Sequence, residues 1–166
     1  AAERIHDTIP HCKIIIMLRN PVNRSISHFK HHYHHHKIKR INDYFKVGLD
    51  EFESDIEMGY SHPVMNLKQS FYHESVSRFL DVFPGENIFI GTLDEMKNQG
   101  ERFSERISEW LGVEVEIGSK GYNKSGNIPG IGSLDPEIRI QLNELFAVDF
   151  SRTMEMLEFD EGELVV

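Results

Sequence analysis

Residues 14–29 read IIIMLRNPVNRSISHF, and three of their side chains could do chemistry together: Arg19, Arg24 and Ser27. Arginine offers a planar fork of donors that suits phosphate. Serine adds a hydroxyl. Arg19 closes an apolar run, and Arg24 and Ser27 fall about one and two turns into the helix expected next. In an open parallel sheet, ligands sit outside the carboxyl ends of strands. A helix that begins there adds a favourable dipole and free N–H groups. The arrangement describes an anion site, with phosphate as the leading candidate. The plain alternative is that both arginines pair with local carboxylates and Ser27 is an ordinary helix residue. Spacing alone leaves both open.

These three residues need elements to hold them. Residues 13–18, KIIIML, read as a strand buried on both faces, as in a parallel sheet. Asn20 suits a helix cap and Pro21 a first turn. Val22, Ile26, Phe29 and Tyr33 then form a helical stripe, with Arg24 and Ser27 on another face. Residues 37–65 read as a polar excursion outside the core, with a short helix near 48–57. Residues 68–83 read as one helix with Phe71, Val76, Phe79, Leu80 and Phe83 inward. Residues 88–91, IFIG, are a second strand. Residues 100–111 are a helix stopped by Gly112. Residues 119–133 are a Gly/Ser/Asn loop. A helix over 135–147 and a short last one near 149–157 follow, the latter with Met154 as a core residue. Alternating strands and helices give an α/β class with parallel strands flanked by helices. Two strands are few for such a sheet, so further strands are expected upstream of Ala1. Residues 1–166 read as a single, partial domain.

The chain has 166 residues and a formal charge of −9, an acidic balance that argues against nucleic acid as a partner. Its charge is uneven. Residues 28–40 hold six histidines with Lys30, Lys37, Lys39 and Arg40, which suggests a local anionic ligand. Cys12 is the only cysteine, so no intrachain disulfide forms. No apolar run approaches the ~20 residues of a membrane span.

The stretch KIIIMLRNPVNRSISHF resembles the 3′-phosphate motif of sulfotransferases that use 3′-phosphoadenosine 5′-phosphosulfate (PAPS). In that family a strand ends in L-R-N-P, followed after two residues by R-A-x-S and an aromatic. Ser25 stands in the usual Ala place. The resemblance implies that Arg19 and Ser27 hold the nucleotide 3′-phosphate and that Arg24 is partly structural. SFYHESVSRFLDVFPGENIFIGTLDEM resembles the family's next helix and strand, with Tyr72 where relatives carry a tyrosine against the adenine. ISEWLGVE and LNELFAVDFSRTMEML resemble later family segments. YNKSGNIPG lies where relatives carry a basic loop over the 3′-phosphate, which makes Lys124, Ser125 and Gly126 further nucleotide candidates. Their order departs from the K-S-K-G-R form of the heparan-type branch. R-N-P with the second Arg resembles the glycan-modifying branch more than the small-phenol branch.

The resemblance implies a P-loop-like sulfotransferase fold, PAPS as sulfuryl donor, no metal, and transfer to an acceptor hydroxyl or amine, carbohydrate above all. The family's P-K-x-G-[ST]-T loop does not occur in this sequence, and its catalytic base is a Glu or His that stands between that loop and the 3′-phosphate motif. Both are expected upstream, so no catalytic residue is assigned here and the chain would not catalyse transfer alone. Two other readings stay in play. One is a non-catalytic module that binds adenosine 3′,5′-bisphosphate. The other is another P-loop-type transferase, such as a kinase.

HFKHHYHHHKIKR supports three readings: a solvated helix end, an acceptor-side surface for an anionic or neutral glycan, or a metal site built on i, i+3 and i+4 histidines. No carboxylate stands close enough in sequence to favour the metal. His62 and His73 read as structural or exposed, and Asp94 with Glu95 as a helix cap and first-turn acid.

Overall fold

The computed structural model describes residues 1–53, 62–117 and 128–158. The chain divides into two compact units. Unit 1 takes residues 1–20, 73–122 and 153–166, and unit 2 takes 21–72 and 123–152.

Unit 1 holds the sheet. β1 (Ile14–Leu18) and β2 (Ile88–Thr92) pair in parallel, with Ile14 opposite Ile88 and Leu18 opposite Thr92. Around them lie α1 (Ala2–Thr8), α5 (His73–Leu80), α6 (Leu93–Asn98) and α7 (Gly100–Leu111). Two apolar clusters form. One joins Ala2, Phe83 and Ile88 with Ile14, Ile16 and Phe79. The other joins Phe89, Phe103 and Ile107 with Trp110 and Leu111. Backbone and ring meet closely at Gly91, where a Cβ would lie 2.5 Å from Phe103 Cε2. Gly112 ends α7 with φ at 74°, the left-handed conformation that glycine adopts without strain.

The sheet departs from expectation on one face. β2 is largely buried, but β1 alternates, and Ile15 and Met17 are 48% and 41% exposed. Successive side chains of a strand point to opposite faces, so Ile15 and Met17 share the face that is left open.

Unit 2 is helical. It contains α2 (Pro21–His31), α3 (Ile41–Glu53), α4 (His62–Lys68) and the first part of α8 (Pro136–Leu157). Its core joins Val22 and Phe29 of α2, Ile41, Tyr44 and Phe45 of α3, Leu67 of α4, and Ile138, Leu142 and Phe146 of α8. Three expectations change here. The described residues within 37–65 are not an excursion: α3 begins at Ile41, well before the helix expected near 48–57, and its buried face is central to the core, while residues 54–57 of that expectation lie outside the described residues. Residues 68–83 are not one helix. α4 ends at Lys68, α5 begins at His73, and Phe71 between them stacks on Phe52 at 5.5 Å. The two helices expected at 135–147 and 149–157 are the single helix α8, in which Met154 is buried as a core residue.

Candidate functional site

α2 carries the motif, and its sequence explains its placement. Pro21 supplies a fixed φ at the first helical position. Val22 and Phe29 are fully buried and turn the helix so that Arg24 and Ser27 lie on other faces.

Arg24 is committed to α4 and the residues just after it. Its Nη1 donates to the Asn66 carbonyl at 2.9 Å, to Asn66 Oδ1 at 3.0 Å and to Ser70 Oγ at 3.3 Å. Its Nη2 donates to Gln69 Oε1 at 2.7 Å. None of these partners is a carboxylate. The Asn66 carbonyl lies in the last turn of α4, so the cation both fills a vacant helix acceptor and opposes the negative end of the helix dipole. Asn66 Nδ2 returns a bond to the Ser25 carbonyl at 3.0 Å, and Ser25 and Ser70 share a hydroxyl bond at 2.7 Å. Burial lowers the Arg24 pKa, opposed by Tyr72 and Tyr44. An arginine nonetheless stays charged in a protein.

Arg19 and Ser27 differ from Arg24. Both are half-buried, and among the described residues no hydrogen bond or ion pair engages either the guanidinium or the hydroxyl. Arg19 directly follows β1 and belongs to unit 1; Ser27 lies in α2 and belongs to unit 2. Tyr72 is half-buried in the break before α5, where its N–H donates to Asp149 Oδ2 of α8 at 2.6 Å. Lys124, Ser125 and Gly126 lie outside the described residues. The sequence reading missed Asn66, Gln69, Ser70 and Asp149, the residues that fix this region. Only tertiary contact reveals them.

The histidine run is not uniformly solvated. It ends α2 and passes through a 3-10 turn at Tyr33–His35. His36 is 4% exposed, stacks flat on Phe29 at 5.2 Å and faces Tyr44 at 4.7 Å. Neither of its ring nitrogens has a hydrogen-bond partner. Its pKa is lowered by burial first, then by His62 and His32, and the backbone of Phe29 opposes this. Among the described residues no group of three His, Cys, Asp or Glu side chains is placed to hold a metal. No helix among them is long and apolar enough to cross a membrane. In unit 1, Thr92 rather than Asp94 caps α6, accepting from the Glu95 N–H at 2.9 Å, and Glu95 pairs with Arg106.

His28 responds to acid. Burial, then Arg24, His32, His36 and His31, push its pKa from 6.5 down to about 4. The unfolded chain takes up this proton near pH 6.5 and the folded protein only near 4. Stability is therefore full above pH 6.5, falls as the pH drops toward 4, and levels off below it. Allowing for solvent screening at this half-exposed ring, the loss is about 1–2 kcal/mol. Urea midpoints at neutral and mildly acid pH should show His28→Gln losing less stability than the parent protein. Equal losses in both would rule His28 out as the cause.

A family model described as the sulfotransferase domain matches residues 5–125. No curated protein sequence matches the chain. Among solved structures, a sulfotransferase from Alicyclobacillus acidocaldarius matches with a TM-score of 0.72 and 25% identity, over 97% of this chain and 60% of that one. The chain thus spans less than two thirds of that protein's length.

Proposed function

The chain belongs to the sulfotransferase domain family, and from that premise we propose that it carries the 3′-phosphate end of a PAPS site. The observation that carries this reading is the contrast between the two arginines of the motif. Arg24 spends its donors on α4 and its extension, whereas Arg19, at the carboxyl end of a parallel strand, has no partner among the described residues. In this reading the Arg19 fork and the Ser27 hydroxyl accept the nucleotide 3′-phosphate, and Tyr72 lies against the adenine.

The whole enzyme would transfer the sulfuryl group in line from PAPS to an acceptor hydroxyl or amine, with carbohydrate as the acceptor class that the motif's wording favours. Residues 28–40 would face that acceptor. Binding and orientation are the roles this chain's residues would play. The phosphosulfate loop and the catalytic base would come from the remainder of a larger enzyme, in keeping with the 60% of the solved relative that the chain covers.

Calorimetry tests the donor site. Adenosine 3′,5′-bisphosphate should bind more tightly than ATP. Arg19→Ala and Ser27→Ala should each weaken the bisphosphate at least tenfold, the loss expected for one charge-assisted hydrogen bond of roughly 1.5–3 kcal/mol. Preference for ATP, or an unchanged affinity in Arg19→Ala, would overturn the assignment and favour another phosphoryl ligand.

A further inference from the structure

Unit 2 contains a cavity of about 300 Å³ that none of the motif residues line. Its walls are Ile38, the Tyr44 ring, Val47 and Pro63, and the imidazoles of His36 and His62 also line it. The Tyr44 hydroxyl is already used, donating to the His62 carbonyl at 3.0 Å. His36 is different. It is 4% exposed, it lines the cavity, and both of its ring nitrogens lack a hydrogen-bond partner. A buried polar group left this way is costly unless something in the space beside it makes the bond. The backbone of Phe29 can serve at most one of the two nitrogens, which leaves the other for a ligand. The charges that line the cavity, Lys37 and Glu51, are of opposite sign, so nothing there selects for a net charge.

We propose that this cavity is a binding site for a small neutral ring compound bearing a hydroxyl group, with His36 as its hydrogen-bond partner. A neutral imidazole offers one donor and one acceptor, and a hydroxyl can complement either. The apolar walls take the ring, whose burial supplies the bulk of the affinity. The flat stack of His36 on Phe29 and its contact with Tyr44 hold the imidazole in place, so the site is formed before a ligand arrives. The proposal does not rest on the donor-site reading.

Two fluorinated probes of nearly equal size separate the hydroxyl from the ring. Titrated into the protein and followed by fluorine NMR, 4-fluorophenol should bind saturably and at least tenfold more tightly than fluorobenzene. The His36 ring nitrogens should shift in nitrogen NMR as it binds. His36→Phe should bring 4-fluorophenol down to the level of fluorobenzene. Val47→Trp, which fills the cavity from α3 without altering His36, should abolish binding of both and serves even if His36→Phe does not fold. Equal affinity for the two probes, no saturable binding of 4-fluorophenol, or undiminished binding in Val47→Trp would each overturn the proposal.

Discussion

Arg24→Ala should destabilise the protein by about 3–4 kcal/mol, lowering the denaturant midpoint of the transition that unfolds unit 2. Four hydrogen bonds from one guanidinium tie α2 to Asn66, Gln69 and Ser70. Bonds to a charged group are worth roughly 1.5–3 kcal/mol each in isolation, but four that share one side chain do not add. The larger part of the loss comes from what stays behind. Asn66 and Ser70 are almost fully buried, and their oxygens would lose a cation that water cannot replace. Arg24→Lys should recover only part of this, since an ammonium cannot span Asn66 Oδ1 and Gln69 Oε1 as the fork does. Arg19→Ala is the contrast: no described partner is lost, so stability should move by less than about 0.5 kcal/mol. The two motif arginines would thus separate cleanly, one read out in stability and the other in nucleotide affinity. A change under 1 kcal/mol in Arg24→Ala would show that the contacts to α4 are dispensable.

Phe29→Ala should cost a similar amount, about 3–5 kcal/mol, for a different reason. Phe29 is fully buried and meets four rings: Tyr44 at 4.6 Å, His36 at 5.2 Å, Tyr33 at 6.1 Å and Phe45 at 6.2 Å. Truncation removes the apolar area of the ring and leaves a void that these stiff neighbours cannot close. Phe29→Leu keeps most of the volume and should cost less than about half as much. The same urea titrations measure both. If Phe29→Ala and Phe29→Leu were equally mild, the unit 2 core would be centred elsewhere than on this ring.

The parts of the fold that could be read in the sequence are those whose signals are local. A continuous apolar run announces β1, IFIG announces β2, and Gly112 marks the end of α7. α3 is legible in its spacing but masked by its charges. Ile41, Tyr44, Phe45, Gly48 and Phe52 keep helical spacing, yet the carboxylates Asp50, Glu51 and Glu53 make its end read as surface. Asp149 interrupts the apolar stripe of α8, a local signal that points to two helices. In the fold that carboxylate is satisfied by the Tyr72 N–H, a residue 77 positions away, so it does not break the helix. The end of α4 at Lys68 has no Gly or Pro to mark it. It is set by the Arg24 clasp and by Phe71 packing on Phe52 and Phe146. The candidate site follows the same rule. Arg19, Arg24 and Ser27 stand out by type and spacing, but that Arg24 is consumed by neutral partners while Arg19 is not depends on residues more than 40 positions from Arg24.

The pairing of Ile14 with Ile88 also bears on how the chain reaches its native state. Two neighbouring strands so far apart in sequence must close a long loop, and the entropy of that closure is spent before any strand contact is gained. The intervening residues include α2, α3 and α4, which pack around Phe29, Tyr44 and Leu67. The hydrogen bonds within each helix are local in sequence and form quickly, although the core the helices build also needs Ile138, Leu142 and Phe146 of α8. Each helix made early shortens the free chain left to search, so the helical insert acts as a built-in aid to the pairing of a sheet that could not easily find its register alone.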